Sequence, residues 1–109
     1  MLNKADEFDA ELGELADMAK ALSHPARLAI LKHLSEQDTC ICGDIVEELP
    51  LAQATVSRHL KVLRDAGLIS VTQRGLTSCY CLKPEAINRL RMQFAEFFAG
   101  IESRCHLSC

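Results

Sequence analysis

The stretch GDIVEELPLAQATVSRHLKVLRDAGLI, residues 43–69, decides the fold of this chain. A short apolar pattern predicts a helix over about 43–49, which a proline ends. A longer helix is predicted over about 52–66, and Gly67 follows it where a left-handed C-terminal cap belongs. Its apolar residues recur at i, i+4 and i+7: Val56, Leu60 and Leu63. A short helix that braces a longer one across a tight turn is the pattern of a helix–turn–helix over about 43–66.

A hairpin is predicted immediately after this pair of helices, over about 69–82. The segment LISVTQRGLTSCYCL gives strands near 69–73 and 77–82 around a turn at Arg74-Gly75-Leu76. A hairpin in this place is the wing of a winged helix–turn–helix. We therefore expect an α+β fold that is mostly α, in a single domain over residues 1–109.

Two predicted helices precede this unit and one follows it. The first covers about 6–22 and ends at Ser23-His24-Pro25, where the serine or the histidine caps the next helix and the proline begins it. That second helix covers about 25–35, and a polar connection follows over 36–42. The last helix covers about 84–103.

The first and last of these helices carry more apolar surface than a small domain easily covers by itself. The stripe on the last helix consists of Ile87, Leu90, Phe94, Phe97, Phe98 and Ile101. We therefore expect 6–22 and 84–103 to be dimerisation helices that pack against a second copy. Packing of both helices on the core of the monomer is the alternative.

The distribution of charge favours a nucleic acid partner, although the chain carries a net charge of −3. Residues 1–50 hold a net charge of −7, and residues 51–109 hold a net charge of +4. Most of the positive excess lies in Arg58, Lys61, Arg64, Arg74 and Lys83. A local basic stripe is what phosphate binding needs, whatever the total charge. A solvated charged face is the alternative.

The polar face of the helix over 52–66 is the predicted DNA-reading surface. Glutamine side chains make paired hydrogen bonds to adenine, and arginine side chains make them to guanine. We assign Thr55, Ser57 and Lys61 to phosphates, and Arg74 at the tip of the wing to the backbone or the minor groove. The predicted DNA-binding residues are Gln53, Ala54, Thr55, Ser57, Arg58, Lys61 and Arg74. An amphipathic helix with an incidental polar face is the alternative.

Six cysteines are the other distinctive feature of the chain. No apolar run approaches the roughly 20 residues that span a bilayer, and the acidic start lacks the apolar core of a signal peptide. We therefore expect a cytoplasmic chain without a membrane partner. Thiols stay reduced in the cytoplasm, so six cysteines indicate metal or redox chemistry before a disulfide framework.

The spacing of the cysteines decides which of them can share an ion. Cys40 and Cys42 point to the same side if their segment is extended, but lie about 200° apart in a helix. Cys79 and Cys81 alternate along the second wing strand and share a face, where they are either ligands or simply small residues. Cys105 and the last residue of the chain, at i and i+4, share a face if the last helix persists, or fray at the chain end.

The segments ALSHPARLAILKHL, ATVSRHLKVLRDAGLI and the hairpin ending CYCL resemble the ArsR/SmtB-type winged-helix repressors. The resemblance runs over about residues 18–82, and the flanking helices match in position and pattern alone. It implies a homodimer, not an enzyme, that binds an imperfect inverted repeat in promoter DNA and releases it when an inducer binds. It also implies that Tyr80 and Leu82 are buried and that Cys79 and Cys81 face outward.

The arsenic-responsive branch of this family has a CVCDLC box where this chain has CICGDIV. Gly43 is inserted and Val46 replaces the third cysteine, so the third sulfur that As(III) needs must come from elsewhere. The C-terminal tail, of the same or the other subunit, is the first candidate and the wing is the second. The predicted metal ligands are Cys40, Cys42, Cys105 and Cys109, with Cys79 and Cys81 ranked below them.

As(III), Sb(III) or another soft ion that binds thiolates is the first candidate inducer, and no cofactor is expected for the fold. Thiol-redox or persulfide sensing is an alternative, because Cys40 falls where the persulfide-sensing branch keeps its first cysteine. A Zn- or Cd-responsive repressor is another, although the DxH pattern expected near Pro84 is absent. A small thiol-redox or zinc–sulfur protein without DNA binding is the alternative from a different class, but the chain has no CxxC.

Overall fold

The computed structural model describes residues 8–37, 40–43 and 51–105. Their elements are α1 (Ala10–Ala21), α2 (Pro25–Ser35), β1 (Ile41–Cys42), α3 (Gln53–Asp65), β2 (Ile69–Arg74), β3 (Thr77–Leu82) and α4 (Pro84–Arg104). The described part of the chain is mostly helical with one small antiparallel sheet, which confirms the predicted fold class. The predicted helix over about 43–49 lies, from residue 44 onward, outside the described residues. No described helix is long and apolar enough to cross a membrane.

The caps of the first two helices explain where they begin. The Asp9 carboxylate accepts a hydrogen bond from the Glu11 backbone N–H, so α1 starts at Ala10 and the predicted start near residue 6 is wrong. His24 is the N-cap of α2, since its Nδ1 accepts from the Ala26 backbone N–H at 3.0 Å. A side chain that satisfies a free backbone N–H in this way fixes the first turn of a helix.

The end of α3 shows the left-handed cap that the sequence predicts. Gly67 has a φ of 80°, which is costly for any residue with a Cβ. Its N–H donates to the Arg64 carbonyl, and the N–H of Leu68 donates to the Leu63 carbonyl at 3.0 Å. This is the hydrogen-bond pattern of a Schellman motif. Both leucines are fully buried, so the cap also directs the chain from α3 into the sheet.

The sheet has the strand order β1-β3-β2, with both pairs antiparallel. β2 and β3 form the predicted hairpin, in register from Ile69 opposite Leu82 to Arg74 opposite Thr77. β1 was not predicted: its residues Ile41 and Cys42 lie opposite Tyr80 and Cys79. The Gly43 N–H extends the ladder by donating to the Ser78 carbonyl at 3.1 Å. The expectation that residues 36–42 form only a polar connection is therefore wrong at the end of this segment, where β1 lies.

The core lies between α2, α3 and the start of the sheet. Its buried members are Ile30, Leu34, Val56, Leu60, Leu63, Leu68 and Ile69. Tyr80 and Leu82 of β3 pack against this cluster while remaining half-buried. Burial of one such aliphatic side chain contributes about 1.5–3 kcal/mol. These contacts hold α3 and the wing in a fixed relation to each other.

Candidate DNA-binding surface and cysteine cluster

α3 presents one apolar and one polar face, as the sequence predicts. Val56, Leu60 and Leu63 are buried against the core. The predicted base-facing side chains are all exposed: Gln53, Ala54, Ser57, Arg58 and Lys61. Thr55 is half-buried on the same helix. The face that a major groove would meet is thus free of apolar side chains other than one alanine.

The basic residues of α3 include an ion pair on the exposed face. Lys61 Nζ lies 3.1 Å from Asp65 Oδ2, one helical turn away, and Arg64 Nε lies 3.7 Å from the other oxygen of the same carboxylate. The Lys61 and Asp65 side chains remain more than half exposed. Exposed pairs of this kind are worth at most about 1 kcal/mol, so a phosphate can take the place of the carboxylate at little cost.

A cleft of about 250 Å³ separates α3 from the wing. Ser57, Lys61 and Arg64 line its helix side, and Gln73 and Ser78 line its strand side. The Ser78 hydroxyl donates to Gln73 Oε1 at 2.9 Å, which ties the two wing strands together at this point. Leu60, Val71 and Tyr80 complete the lining, and the basic side chains lie on the helix side, as the approach to a phosphate backbone requires.

The wing ends in an exposed two-residue turn. Gly75 has a φ of 64° at the first turn position, where a type II′ hairpin turn needs a positive value. The predicted contact residue Arg74 and its neighbour Leu76 are both exposed at this tip. The tip of the wing is therefore accessible to a partner that also contacts α3.

Arg27 joins three helices and was not predicted as a site residue. Its Nη1 donates to the Lys20 carbonyl at 2.9 Å, at the end of α1. Its Nε donates to Nδ1 of His59, on α3, at 3.2 Å. The His59 ring also lies against the His24 ring, with a centroid distance of 4.3 Å. Arg27 and His59 thus fix the position of α3 through contacts on its buried side.

His59 is the buried polar residue of this junction, with 7% of its surface exposed. Burial lowers the pKa of its imidazole below the usual 6.5, and the charges of His24 and Arg27 lower this pKa further. Among the described residues, its Nε2 is the buried side-chain nitrogen that finds no hydrogen-bond partner. In the sequence, the only signal was a histidine between the apolar positions of α3, where periodicity does not distinguish packing from function.

Four cysteines meet where β1 lies along β3. Cys40 is bonded to Cys81 and Cys42 to Cys79, with Cα–Cα separations of 4.6 and 4.0 Å. The segment of Cys40 and Cys42 is extended, which is the condition that the sequence set for this pair to act together. The sequence ranked the wing cysteines below the tail, yet they are the ones that contact the pair.

The wing cysteines do not face solvent as the resemblance implied. Cys79 is only 2% exposed, and Cys81 is half-buried. The physical reason is the unpredicted strand: β1 pairs along this edge, and Cys40 and Cys42 are bonded to the two side chains. A short strand pairs with a distant segment, so its own sequence carries no alternation that would reveal it.

Cys105 lies far from this cluster in the same chain. Pro84, at the start of α4, lines a pocket with Cys40 and Cys81. Cys105 follows the other end of this 21-residue helix, which is about 30 Å long at 1.5 Å per residue. Cys105 is exposed and free, whereas Cys109 lies outside the described residues. With both sulfur pairs bonded, the described ranges contain no group of three or more His, Cys, Asp or Glu placed to hold a metal ion.

Comparison with known proteins agrees with this arrangement of α3, wing and flanking helices. The profile of "Bacterial regulatory protein, arsR family" matches residues 24–71. The arsenical resistance operon repressor of Bacillus subtilis (strain 168) is 40% identical over 87 residues, which cover 78% of this chain and 82% of that protein. The chain belongs to the arsR family. Members of this family are transcriptional regulators that bind DNA through a winged helix–turn–helix.

Solved structures of the arsR family share the fold. The ArsR-like transcriptional regulator from Rhodococcus sp. RHA1 superposes with a TM-score of 0.73 at 23% identity, covering 88% of this chain and 90% of that one. The homodimeric winged helix-turn-helix DNA-binding domain from Mycobacterium bovis superposes with a TM-score of 0.65 at 22% identity, covering 97% and 98%. At these identities the likeness shows the fold of the arsR family alone.

Proposed function

We propose that this chain is a homodimeric repressor that binds an inverted repeat in promoter DNA and releases it when As(III) or Sb(III) binds its cysteines. The observation that carries the proposal is that Cys40 and Cys42 contact Cys81 and Cys79 of β3, which is also an arm of the wing. Chemistry at the sulfurs therefore acts directly on an element of the predicted DNA-binding surface.

The DNA contact is supported by the exposed face of α3 and the cleft beside it. We assign Arg58 to a guanine edge and Gln53 to an adenine edge in the major groove. Lys61, Thr55 and Ser57 are assigned to phosphates, which fix the register without reading the sequence. Ala54 makes a close apolar contact and Arg74 reaches the backbone or minor groove from the tip of the wing.

The homodimer is supported by apolar side chains that α1 and α4 leave exposed. They are Leu12 on α1 together with Met92, Phe97, Phe98 and Ile101 on α4, and Phe8 just before α1. Exposed apolar side chains clustered on two terminal helices mark an interaction surface. A two-fold dimer places two copies of α3 on one face of the DNA, which is why an inverted repeat is the expected operator.

The inducer is supported by the soft character of the site. Thiolates bind soft thiophilic ions well and hard cations poorly. The Bacillus subtilis relative is named for arsenical resistance, which agrees with a metalloid. By linkage, an inducer that weakens DNA binding is itself bound more weakly by the DNA complex, to the same degree.

The decisive experiment is a gel-shift assay with fully reduced full-length protein and the promoter of its own gene. We expect binding at low salt that falls steeply as salt rises, because phosphate contacts release counterions. Addition of sodium arsenite is expected to release the DNA from the wild type but not from the Cys40→Ser/Cys42→Ser double variant. Absence of binding by reduced protein at low salt would refute the repressor, and release that survives the double variant would refute the cysteine site.

Oxidation is a second candidate signal, and the bonded sulfur pairs favour it. Each disulfide forms when two thiols give two electrons and two protons to an oxidant, for example hydrogen peroxide, which becomes two water molecules. The same assay therefore includes hydrogen peroxide, a persulfide donor, Zn(II) and Cd(II) beside arsenite. Release by peroxide or persulfide at concentrations where arsenite has no effect would favour the redox sensor over the metalloid sensor.

A further inference from the structure

We propose that the inducer site is complete within one chain and consists of Cys40 and Cys42 from β1 and Cys81 from β3, which bind As(III) as a trithiolate without a sulfur from the C-terminal tail. This inference rests on the proposed function and deepens it, because it names the third ligand. It also differs from a site confined to the segment before the helix–turn–helix, since one ligand comes from the wing.

The strand register places these three sulfurs on one face of the sheet. Cys40 and Cys42 are two residues apart in an extended segment, so their Cα atoms lie about 6.6–6.8 Å apart and their side chains share a side. Cys81 is the cross-strand neighbour of Cys40, at a Cα–Cα distance of 4.6 Å. It is also a diagonal neighbour of Cys42, at the roughly 7–8 Å typical of such pairs. An ion between the strands therefore reaches all three sulfurs.

Access selects Cys81 over Cys79 as the third ligand. Cys79 is 2% exposed, so a ligand must displace packed atoms to reach it. Cys81 lines a pocket of about 300 Å³ together with Cys40. Its other walls are Tyr80 and Leu82 of β3, Pro84 at the start of α4, and Leu34, Ser35 and Gln37 at and just after the end of α2. Cys42 is exposed outside this lining. The volume of the pocket is far above the roughly 10–15 Å³ that one water molecule needs, which leaves room for arsenous acid.

The chemistry balances from the reduced state. Reduction of the two disulfides consumes four thiol reductant molecules, which leave as two disulfides, and yields four cysteine thiols. Arsenous acid, As(OH)₃, then exchanges its three hydroxyl groups for three cysteine sulfurs. Three As–O bonds break and three As–S bonds form, and each hydroxyl leaves as water with the proton of a thiol. The product is neutral, which suits a half-buried position.

Cys105 of the same chain cannot take part, because the length of α4 separates it from the pocket by about 30 Å. A tail from the second subunit is the competing source of the third sulfur. The two sources are told apart by which cysteine an As(III) complex needs.

The test measures As(III) binding directly, without DNA, on the reduced full-length dimer. Arsenite is titrated while the near-ultraviolet absorption of As–S bonds is followed, and native mass spectrometry counts bound As(III). The wild type is expected to bind one As(III) per chain. Loss of a residue that merely orients a metal ligand costs about 10- to 100-fold in affinity, so Cys81→Ser is expected to weaken binding at least ~100-fold. Cys79→Ser, on the same strand, and Cys105→Ser/Cys109→Ser are matched controls expected to keep wild-type affinity.

A cysteine-alkylation footprint of the wild type gives a test that does not depend on whether the variants fold. Reduced protein is alkylated with and without arsenite, and each cysteine is quantified by peptide mass spectrometry. Arsenite is expected to protect Cys40, Cys42 and Cys81, and to leave Cys105 and Cys109 fully reactive. Protection of the tail cysteines, or loss of binding in Cys79→Ser but not in Cys81→Ser, would overturn the assignment. A wild type that binds no As(III) would instead refute the proposed function itself.

Discussion

At the scale of single residues, His59 is a buried polar side chain held between Arg27 and His24. Arg27 Nε donates to its Nδ1, so the proton of the neutral ring sits on Nε2, which is buried without a described partner. A second proton would place a cation between Arg27 and the His24 ring. The fold therefore favours the neutral imidazole, which is why burial and the two neighbours lower the His59 pKa.

This lowered pKa predicts that stability depends on pH. Above pH 6.5 the imidazole is neutral in both states and its contribution is fully present. As the pH falls through 6.5 toward the folded pKa, the unfolded chain takes up the proton first, so the free energy of unfolding decreases. We expect urea melts of the reduced protein to shift to lower midpoints in this window, and His59→Gln to flatten the dependence. The control His33→Gln should keep the wild-type slope; an equal flattening there would contradict the assignment to His59.

Two exposed cations of α3 should separate base reading from phosphate binding. Arg58→Ala is expected to cost about 1–3 kcal/mol of operator affinity and to relax the preference at one base pair. Lys61→Ala is expected to weaken operator and random DNA alike and to reduce the slope of log K against log salt by about 1. Arg58→Lys keeps the charge without the paired hydrogen bonds and serves as the control. Fluorescence anisotropy on operator and scrambled DNA measures both effects, and equal losses on both DNAs for Arg58→Ala would contradict its role.

At the scale of the elements, the cap between α3 and the sheet depends on backbone geometry alone. A Cβ placed on Gly67 meets no atom within 4 Å, yet its φ of 80° disfavours any L side chain. Gly67→Ala should therefore lower the free energy of unfolding by about 1–2 kcal/mol. Gly13→Ala, within α1 and equally free of clashes, should raise it by about 0.5–1 kcal/mol. Urea unfolding at one fixed protein concentration measures both, and a neutral Gly67→Ala would mean that the cap does not constrain the fold.

The sequence predicted the elements that carry their own periodicity. α2, α3 and α4 appear within about one residue of the expected bounds, because their caps and apolar spacing are local signals. β1 escaped prediction because two residues cannot show alternation and their partner lies some 40 residues away. For the same reason the sequence recognised Cys40 and Cys42 as a pair but ranked the tail above the wing. Which sulfurs meet is decided by strand register, which only the folded chain shows.

At the scale of the whole molecule, the aromatic cluster on α4 predicts how the dimer is lost. Phe98 is 58% exposed and lies against Phe94 and Phe97, with ring centroids 6.3 and 5.4 Å away. A carboxylate buried there is costly, so Phe98→Asp should be monomeric at concentrations where the wild type is dimeric. This variant should also bind the operator more weakly, because each monomer then binds one half-site without a linked second subunit. Sedimentation velocity measures this.

The matched control for the dimer is Leu76→Asp. Leu76 is an exposed apolar residue like Phe98, and it lies at the wing tip, away from α1 and α4. It should remain dimeric in the same experiment. A dimeric Phe98→Asp variant would show that α4 does not form the interface.

The strand order also has a consequence for solubility. β3 is the central strand only because β1 covers its second edge, with Gly43 donating the last hydrogen bond of the ladder. A bare edge of unpaired N–H and C=O groups is a template on which other chains add strands and aggregate. The Cys40–Cys81 and Cys42–Cys79 bonds tie β1 to β3 along that edge, beside the backbone hydrogen bonds. A chain without these sulfur bonds holds β1 by its backbone hydrogen bonds alone, so we expect its β3 edge to be bared more often and the protein to self-associate more readily.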